Sequence, residues 1–153
     1  MTELAQALKY IHERQVYHGD IAAKNLLLSN LGRIKLSDFF LFVLEQKAIK
    51  SWSETVVATP IHLAPGVADG IEGYDAGKSD MWAAGCVLLE LGACEPLAER
   101  LWSPRSAEAR IELLRRNTGS ALLETVAREL LVTDPAKRLG ANDMLYKLQA
   151  TLS

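Results

Sequence analysis

Apolar residues along this chain recur at helical spacing in five stretches, with two short apolar runs between the first stretch and the second. In residues 1–13, Leu4, Ala7, Leu8 and Ile11 line up as the single stripe that a half-buried α-helix requires, and Thr2 stands where a cap would. Leu26–Leu28 and Arg33–Leu36 read as short strands joined by a turn at Ser29-Asn30-Leu31-Gly32. Residues 38–66 show no sustained stripe and contain Pro60 and Pro65, which predicts a long loop, and loops of that length in compact domains are usually functional. From Lys78 onward the spacing predicts helices over about 79–92, 105–117, 119–131 and 141–150, with Asp134-Pro135 separating the last two. The most apolar run, Met81 to Ala93, is too short to span a bilayer and carries Glu90, so it reads as a buried core helix. The fold class is mainly α with a small β element, in one domain covering 1–153.

Composition narrows the class without naming a function. At 153 residues the chain is long enough to bury roughly 70% of its unfolded surface. Hydrophobic content of 49% and charged content of 24% are those of an ordinary globular protein. A net charge of −2 supplies no attraction to nucleic acid or to an anionic membrane, so neither is expected as a partner. Cys86 and Cys94 are eight residues apart in one apolar segment; if it is helical they cannot bridge, and both read as buried thiols. With no secretory signal pattern, the expected location is cytoplasmic or nuclear.

The chemistry is concentrated in His18-Gly19-Asp20-Ile21-Ala22-Ala23-Lys24-Asn25, followed eighteen residues after Asp20 by Asp38 in Ser37-Asp38-Phe39-Phe40. Further on come Ala58-Thr59-Pro60, Leu63-Ala64-Pro65-Gly66, Lys78-Ser79-Asp80-Met81-Trp82 with Gly85, and Leu130 to Arg138 with Asp134-Pro135. Taken in order, these segments resemble the eukaryotic protein kinase family over nearly the whole chain. Each pattern is weak alone; their shared order makes the assignment. The resemblance implies the large, C-terminal lobe of a kinase only, with the N-lobe missing: a helix at 1–13, a catalytic loop at 16–28, an activation segment at 38–66 and a helical bundle at 78–151. A minor alternative is the aminoglycoside and choline phosphotransferase group, whose loop also reads His-Gly-Asp with Asn five residues later. That group lacks the Ala-Pro-Glu-like and Ser-Asp-x-Trp-like segments.

The resemblance also implies roles. Asp20 takes the catalytic-base position, Asn25 and Asp38 the magnesium-binding positions, and Leu27 the floor of an adenine pocket, with ATP and magnesium as cofactors and a protein as substrate or partner. Thr59 resembles the residue that orients the catalytic Asp in Ser/Thr kinases, while Lys24 mimics the Arg of tyrosine kinases; the balance favours Ser/Thr, with a NIMA-related impression. His18 and Phe39 are expected to be packing residues, Asp80 to hold the backbone of the catalytic loop, and Arg138 to be a buried structural cation. Ser51, Ser53 and Thr55 are candidate phosphosites. His12 and His62 read as surface or packing residues without a metal role.

Departures from the pattern lower the expected activity. Gly19 replaces the Arg that would clamp a phosphorylated loop. Phe40 replaces a Gly whose freedom at positive φ lets the Asp-Phe-Gly turn switch. Gly66 replaces the Glu that would pair with Arg138, leaving Arg138 to Asp134 or another acid. The 153 residues hold no counterpart of the Gly-rich loop, the third-strand lysine or its partnering Glu. The expected function is therefore an ATP-dependent Ser/Thr phosphotransferase domain, inactive or weakly active as this chain, with a pseudokinase scaffold that binds other proteins as the alternative.

Overall fold

A computed structural model describes residues 1–39, 60–68, 75–97 and 104–150. Helix α1 (Thr2–His12) buries Leu4, Ala5, Leu8 and Ile11, the stripe visible in the sequence. Met1 occupies the cap position, and no side chain caps the helix: Thr2 is its first residue rather than its cap. Glu3 in the first turn and Lys9 in the last suit the helix dipole. Gln15 then turns the chain at φ 57° into the loop that carries the site.

Strands β1 (Leu26–Leu28) and β2 (Ile34–Leu36) form an antiparallel hairpin with Leu26 opposite Leu36 and Leu28 opposite Ile34. The turn closes where expected: the Gly32 N–H donates to the Ser29 carbonyl at 2.9 Å, and Gly32 sits at φ 72°, which only glycine adopts freely. The hairpin does not stand alone. Oε2 of Glu3 accepts the Ile34 N–H at 2.7 Å, and Oε1 pairs with Arg33, so α1 holds one edge of β2.

After a 3-10 turn at Pro60–His62 and the short helix α2 (Pro65–Ala68), the chain enters α3 (Ala76–Ala93). This helix begins three residues earlier than its apolar run suggests, because the Asp75 carboxylate accepts the Lys78 N–H at 2.9 Å and caps it. Most of its circumference is buried, as an apolar helix at the centre of a bundle must be. Helices α4 (Pro104–Thr118) and α5 (Ala121–Leu130) pack on it and on each other, and α6 (Ala141–Ala150) lies against α1. Leu8, Met81, Leu88, Leu89, Leu114, Leu130 and Met144 are almost wholly buried, each contributing about 1.5–3 kcal/mol by leaving water. Among the described residues, no helix is long and apolar enough to cross a membrane.

The two cysteines differ. Cys86 is buried in α3, and burial, reinforced by Glu90, pushes its thiol well above the ordinary value. Cys94 is exposed, contrary to its expected burial, because α3 ends there: Cys94 takes the left-handed conformation at φ 55° and closes the helix on the Glu90 carbonyl.

Candidate functional site

The site is assembled around one buried carboxylate at the start of α3. Asp80 is 1% exposed. Its Oδ2 accepts the His18 N–H at 2.9 Å and its Oδ1 accepts the Gly19 N–H at 2.9 Å. His12 Nε2 lies 2.9 Å from Oδ2, so α1, the loop and α3 meet on this one group. Asp80, expected to hold this loop's backbone, accepts two of its N–H groups. Gly19 lies at φ 79°. A side chain there would be strained, so the glycine that departs from the family pattern also relaxes the loop at the point where Asp80 grips it.

His18 is fully buried, as expected of a packing residue. Its Nδ1 accepts the Asp20 N–H at 3.2 Å, which leaves Nε2 to donate to the Ser37 carbonyl at 2.8 Å: the neutral tautomer with its proton on Nε2. The Phe39 ring tilts onto the imidazole at 4.6 Å between centroids. His18 therefore fastens the Asp20 loop to the segment that ends in Asp38.

Asn25 closes the other side. Its amide Nδ2 donates to the Asp20 carbonyl oxygen at 2.8 Å and to Asp20 Oδ2 at 3.0 Å. Lys24 Nζ reaches the same Oδ2 at 3.3 Å, from a largely exposed position. The Asn25 carbonyl in turn accepts both the Ser37 N–H at 3.0 Å and the Ser37 hydroxyl at 3.2 Å. Asp38, the next residue, is exposed and held at φ 59°. Asp20, Lys24 and Asn25 are thus joined by their side chains, and the two Ser37 bonds to the Asn25 carbonyl bring the segment that carries Asp38 alongside. With its amide nitrogen committed to Asp20, Asn25 retains Oδ1 toward a cation. One carboxylate and one amide oxygen are the hard donors that magnesium takes while keeping several waters, so the residues present fit that ion. Leu27 on β1 is 53% exposed, with its neighbours Leu28 and Leu31 exposed further. A small polar cavity lies behind the loop, lined by Asp20, Ile21, His62, Ser79, Asp80 and Ala83.

Arg138 corrects one expectation. It is 2% exposed, and among the described residues its hydrogen-bond partners are backbone carbonyls rather than Asp134 or another acid. Nε donates to the Val132 carbonyl at 2.9 Å, Nη1 to the Lys78 carbonyl at 2.7 Å and Nη2 to the Thr133 carbonyl at 3.2 Å. The guanidinium also lies 5.1 Å from the Trp82 ring centroid. Burial pulls its pKa down to about 10, with Asp75 the largest opposing influence. Carbonyl dipoles replace the carboxylate because the turn after α5 delivers two of them to the spot where Lys78 supplies the third.

Thr59, Phe40, Ser51, Ser53 and Thr55 lie outside the described residues. Three contributors were not expected from the sequence. Glu3 holds the hairpin, His12 joins the Asp80 centre, and His62 is buried between the Ile21 carbonyl and Glu90. The signal that pointed to the last pair was Glu90 itself, a lone acid in an apolar helix, which must find a partner when buried.

A sequence profile of the protein kinase domain matches residues 1–148. The chain belongs to the protein kinase family. It is 31% identical over 152 residues to mitogen-activated protein kinase kinase kinase 15 of Mus musculus, covering 95% of this chain and 11% of that protein. It is 35% identical over 151 residues to CBL-interacting protein kinase 25 of Oryza sativa subsp. japonica, covering 94% and 28%. Against CBL-interacting serine/threonine-protein kinase 20 of Arabidopsis thaliana it is 43% identical over 90 residues, covering 58% and 20%. This chain thus spans between 11% and 28% of these relatives' lengths. Its helical bundle with a two-stranded hairpin agrees with the large lobe of a kinase domain.

Proposed function

We propose that this chain supplies the catalytic-loop side of an ATP-dependent protein phosphotransferase acting on serine or threonine. The observation that carries this reading is the hydrogen-bonded unit Asp20–Asn25–Ser37, anchored on Asp80 and His18 with Asp38 at its edge. Asp20 would orient the substrate hydroxyl and take its proton. Asn25 Oδ1 and the Asp38 carboxylate would hold magnesium, which neutralises charge on the nucleotide phosphates when bound. Lys24, paired with Asp20, helps to aim that carboxylate. Leu27 offers the apolar face on which adenine would rest. Serine/threonine preference is supported by Ala58-Thr59-Pro60 and by the likeness to the serine/threonine-protein kinase of Arabidopsis thaliana.

The same geometry limits the activity of these 153 residues. Leu27 and Asp38 face solvent, where polar and apolar contacts alike are weak, and transition-state electrostatics gain most in sites closed to water. Turnover should lie about a thousandfold or more below the ~1–100 s⁻¹ usual for kinases. A radiolabel transfer assay to a mixed protein substrate tests this reading, comparing the chain with its Asp20→Asn variant. Faint labelling of serine and threonine that depends on Asp20 is expected. Labelling confined to tyrosine, or independent of Asp20, would overturn it.

A further inference from the structure

We infer that His62 is a positioning residue for Asp20, a doubly protonated strut between the catalytic loop and α3. Its purpose rests on the phosphotransfer reading; its geometry does not. His62 is 5% exposed. Nδ1 lies 3.1 Å from the Ile21 carbonyl oxygen, and Nε2 lies 3.1 Å from Oε1 of Glu90. A carbonyl oxygen only accepts, so Nδ1 carries a proton. The same Glu90 oxygen also accepts the Leu97 N–H at 3.1 Å; as an ionised, acceptor-only carboxylate Glu90 requires Nε2 to carry a proton too. A neutral imidazole has one N–H and satisfies one of these two oxygens. An imidazolium satisfies both.

The described carboxylates around the ring favour a protonated donor. Glu90 faces the ring from α3 directly, and Asp20 and Asp80 line the cavity that His62 shares with the loop. Cys86 on α3 is kept as a neutral thiol by burial. Among the described cations, Lys24 pairs with Asp20, Lys78 donates to the Arg138 carbonyl, and Arg138 donates to three carbonyls. Ile21 directly follows Asp20. Asp80 therefore fixes the main chain before the catalytic carboxylate, through His18 and Gly19, and His62 fixes it after.

The test is made on the whole chain, which has three histidines. Nitrogen-15 ring spectra near pH 7 should show both nitrogens of His62 protonated, with His18 protonated on Nε2 alone. In His62→Phe, and less in His62→Gln, amide hydrogen exchange at residues 19–22 should rise about tenfold relative to α5, the scale of losing one charge-assisted hydrogen bond. A bare ring nitrogen on His62, or exchange at 19–22 unchanged in the variants, overturns the inference. If His62→Phe fails to fold, the wild-type ring spectrum still decides. A chain without any phosphotransfer would sink the functional reading while leaving both of these readouts intact, so the two failures are distinguishable.

Discussion

Replacing Asp80 by Asn probes the anchor of the site with almost no change in shape. The carboxylate accepts on both oxygens, two backbone N–H groups and His12 in all, at 1% exposure. An Asn carboxamide has one acceptor oxygen and one NH2. Whichever way it turns, the NH2 faces a loop N–H, of either His18 or Gly19, and orphans it. An orphaned buried donor costs about 1–3 kcal/mol, and the remaining bonds lose the roughly twofold strength that a charged acceptor gives. The expected loss is about 2–4 kcal/mol, or roughly 5–15 °C in Tm for a domain of this size. Calorimetric melting of the wild type and the variant measures it, with Asp143→Asn on the surface of α6 as a control. Hydrogen exchange should show the opening concentrated at residues 18–20. A Tm change no larger than that of the control would refute the claim that Asp80 holds the catalytic loop.

Other consequences follow from burial. Arg138 is already hydrogen-bonded to three carbonyls, so Gly66→Glu is expected to leave Tm unchanged, and a clear rise would show that the guanidinium still lacks a charged partner. A Cβ on Gly92 would meet Leu114 Cδ1 at 2.0 Å, and Leu114 is fully buried, so Gly92→Ala should lower stability by about 1–3 kcal/mol despite the better helix propensity of Ala; a higher Tm would contradict the packing of α3 on α4. An aromatic disulfide reagent should titrate one thiol, Cys94, in the folded chain and two in denaturant; two fast thiols in the folded chain would contradict burial of Cys86. Because the folded Cys86 pKa is raised, the folded state binds more protons than the unfolded state above about pH 9; stability should be full below that and decline as pH rises, and Cys86→Ala should flatten the decline.

What could be read from the sequence was what local periodicity and short-range spacing encode. The hairpin and α6 fall where expected, and α1, α4 and α5 to within two residues, because an apolar stripe or a strand-turn-strand pattern is written in adjacent positions. Asp20, Lys24, Asn25 and Asp38 were legible for a similar reason: their gathering is made by hydrogen bonds within one stretch of about twenty residues. Features that depend on distant backbone were not. Arg138 is satisfied by carbonyls, one of them sixty residues away, and no side-chain pattern announces a carbonyl. Cys94 is exposed because a helix ends there, and α3 starts early because of a cap, both boundary effects that an apolar run does not show. His62 required knowing that the segment after Pro60 returns beneath the catalytic loop.

The central claim is that Asp20, Asn25 and Asp38 form a phosphotransfer site that these 153 residues leave open. Titration of the isotopically labelled chain with ATP and magnesium, followed by amide NMR, tests it most directly. The account predicts magnesium-dependent shifts confined to residues 20–38, saturating only near millimolar nucleotide, about 4 kcal/mol of binding, and abolished in Asp38→Asn. Micromolar affinity would contradict the open site, and shifts that survive Asp38→Asn or map away from the hairpin would contradict the site itself.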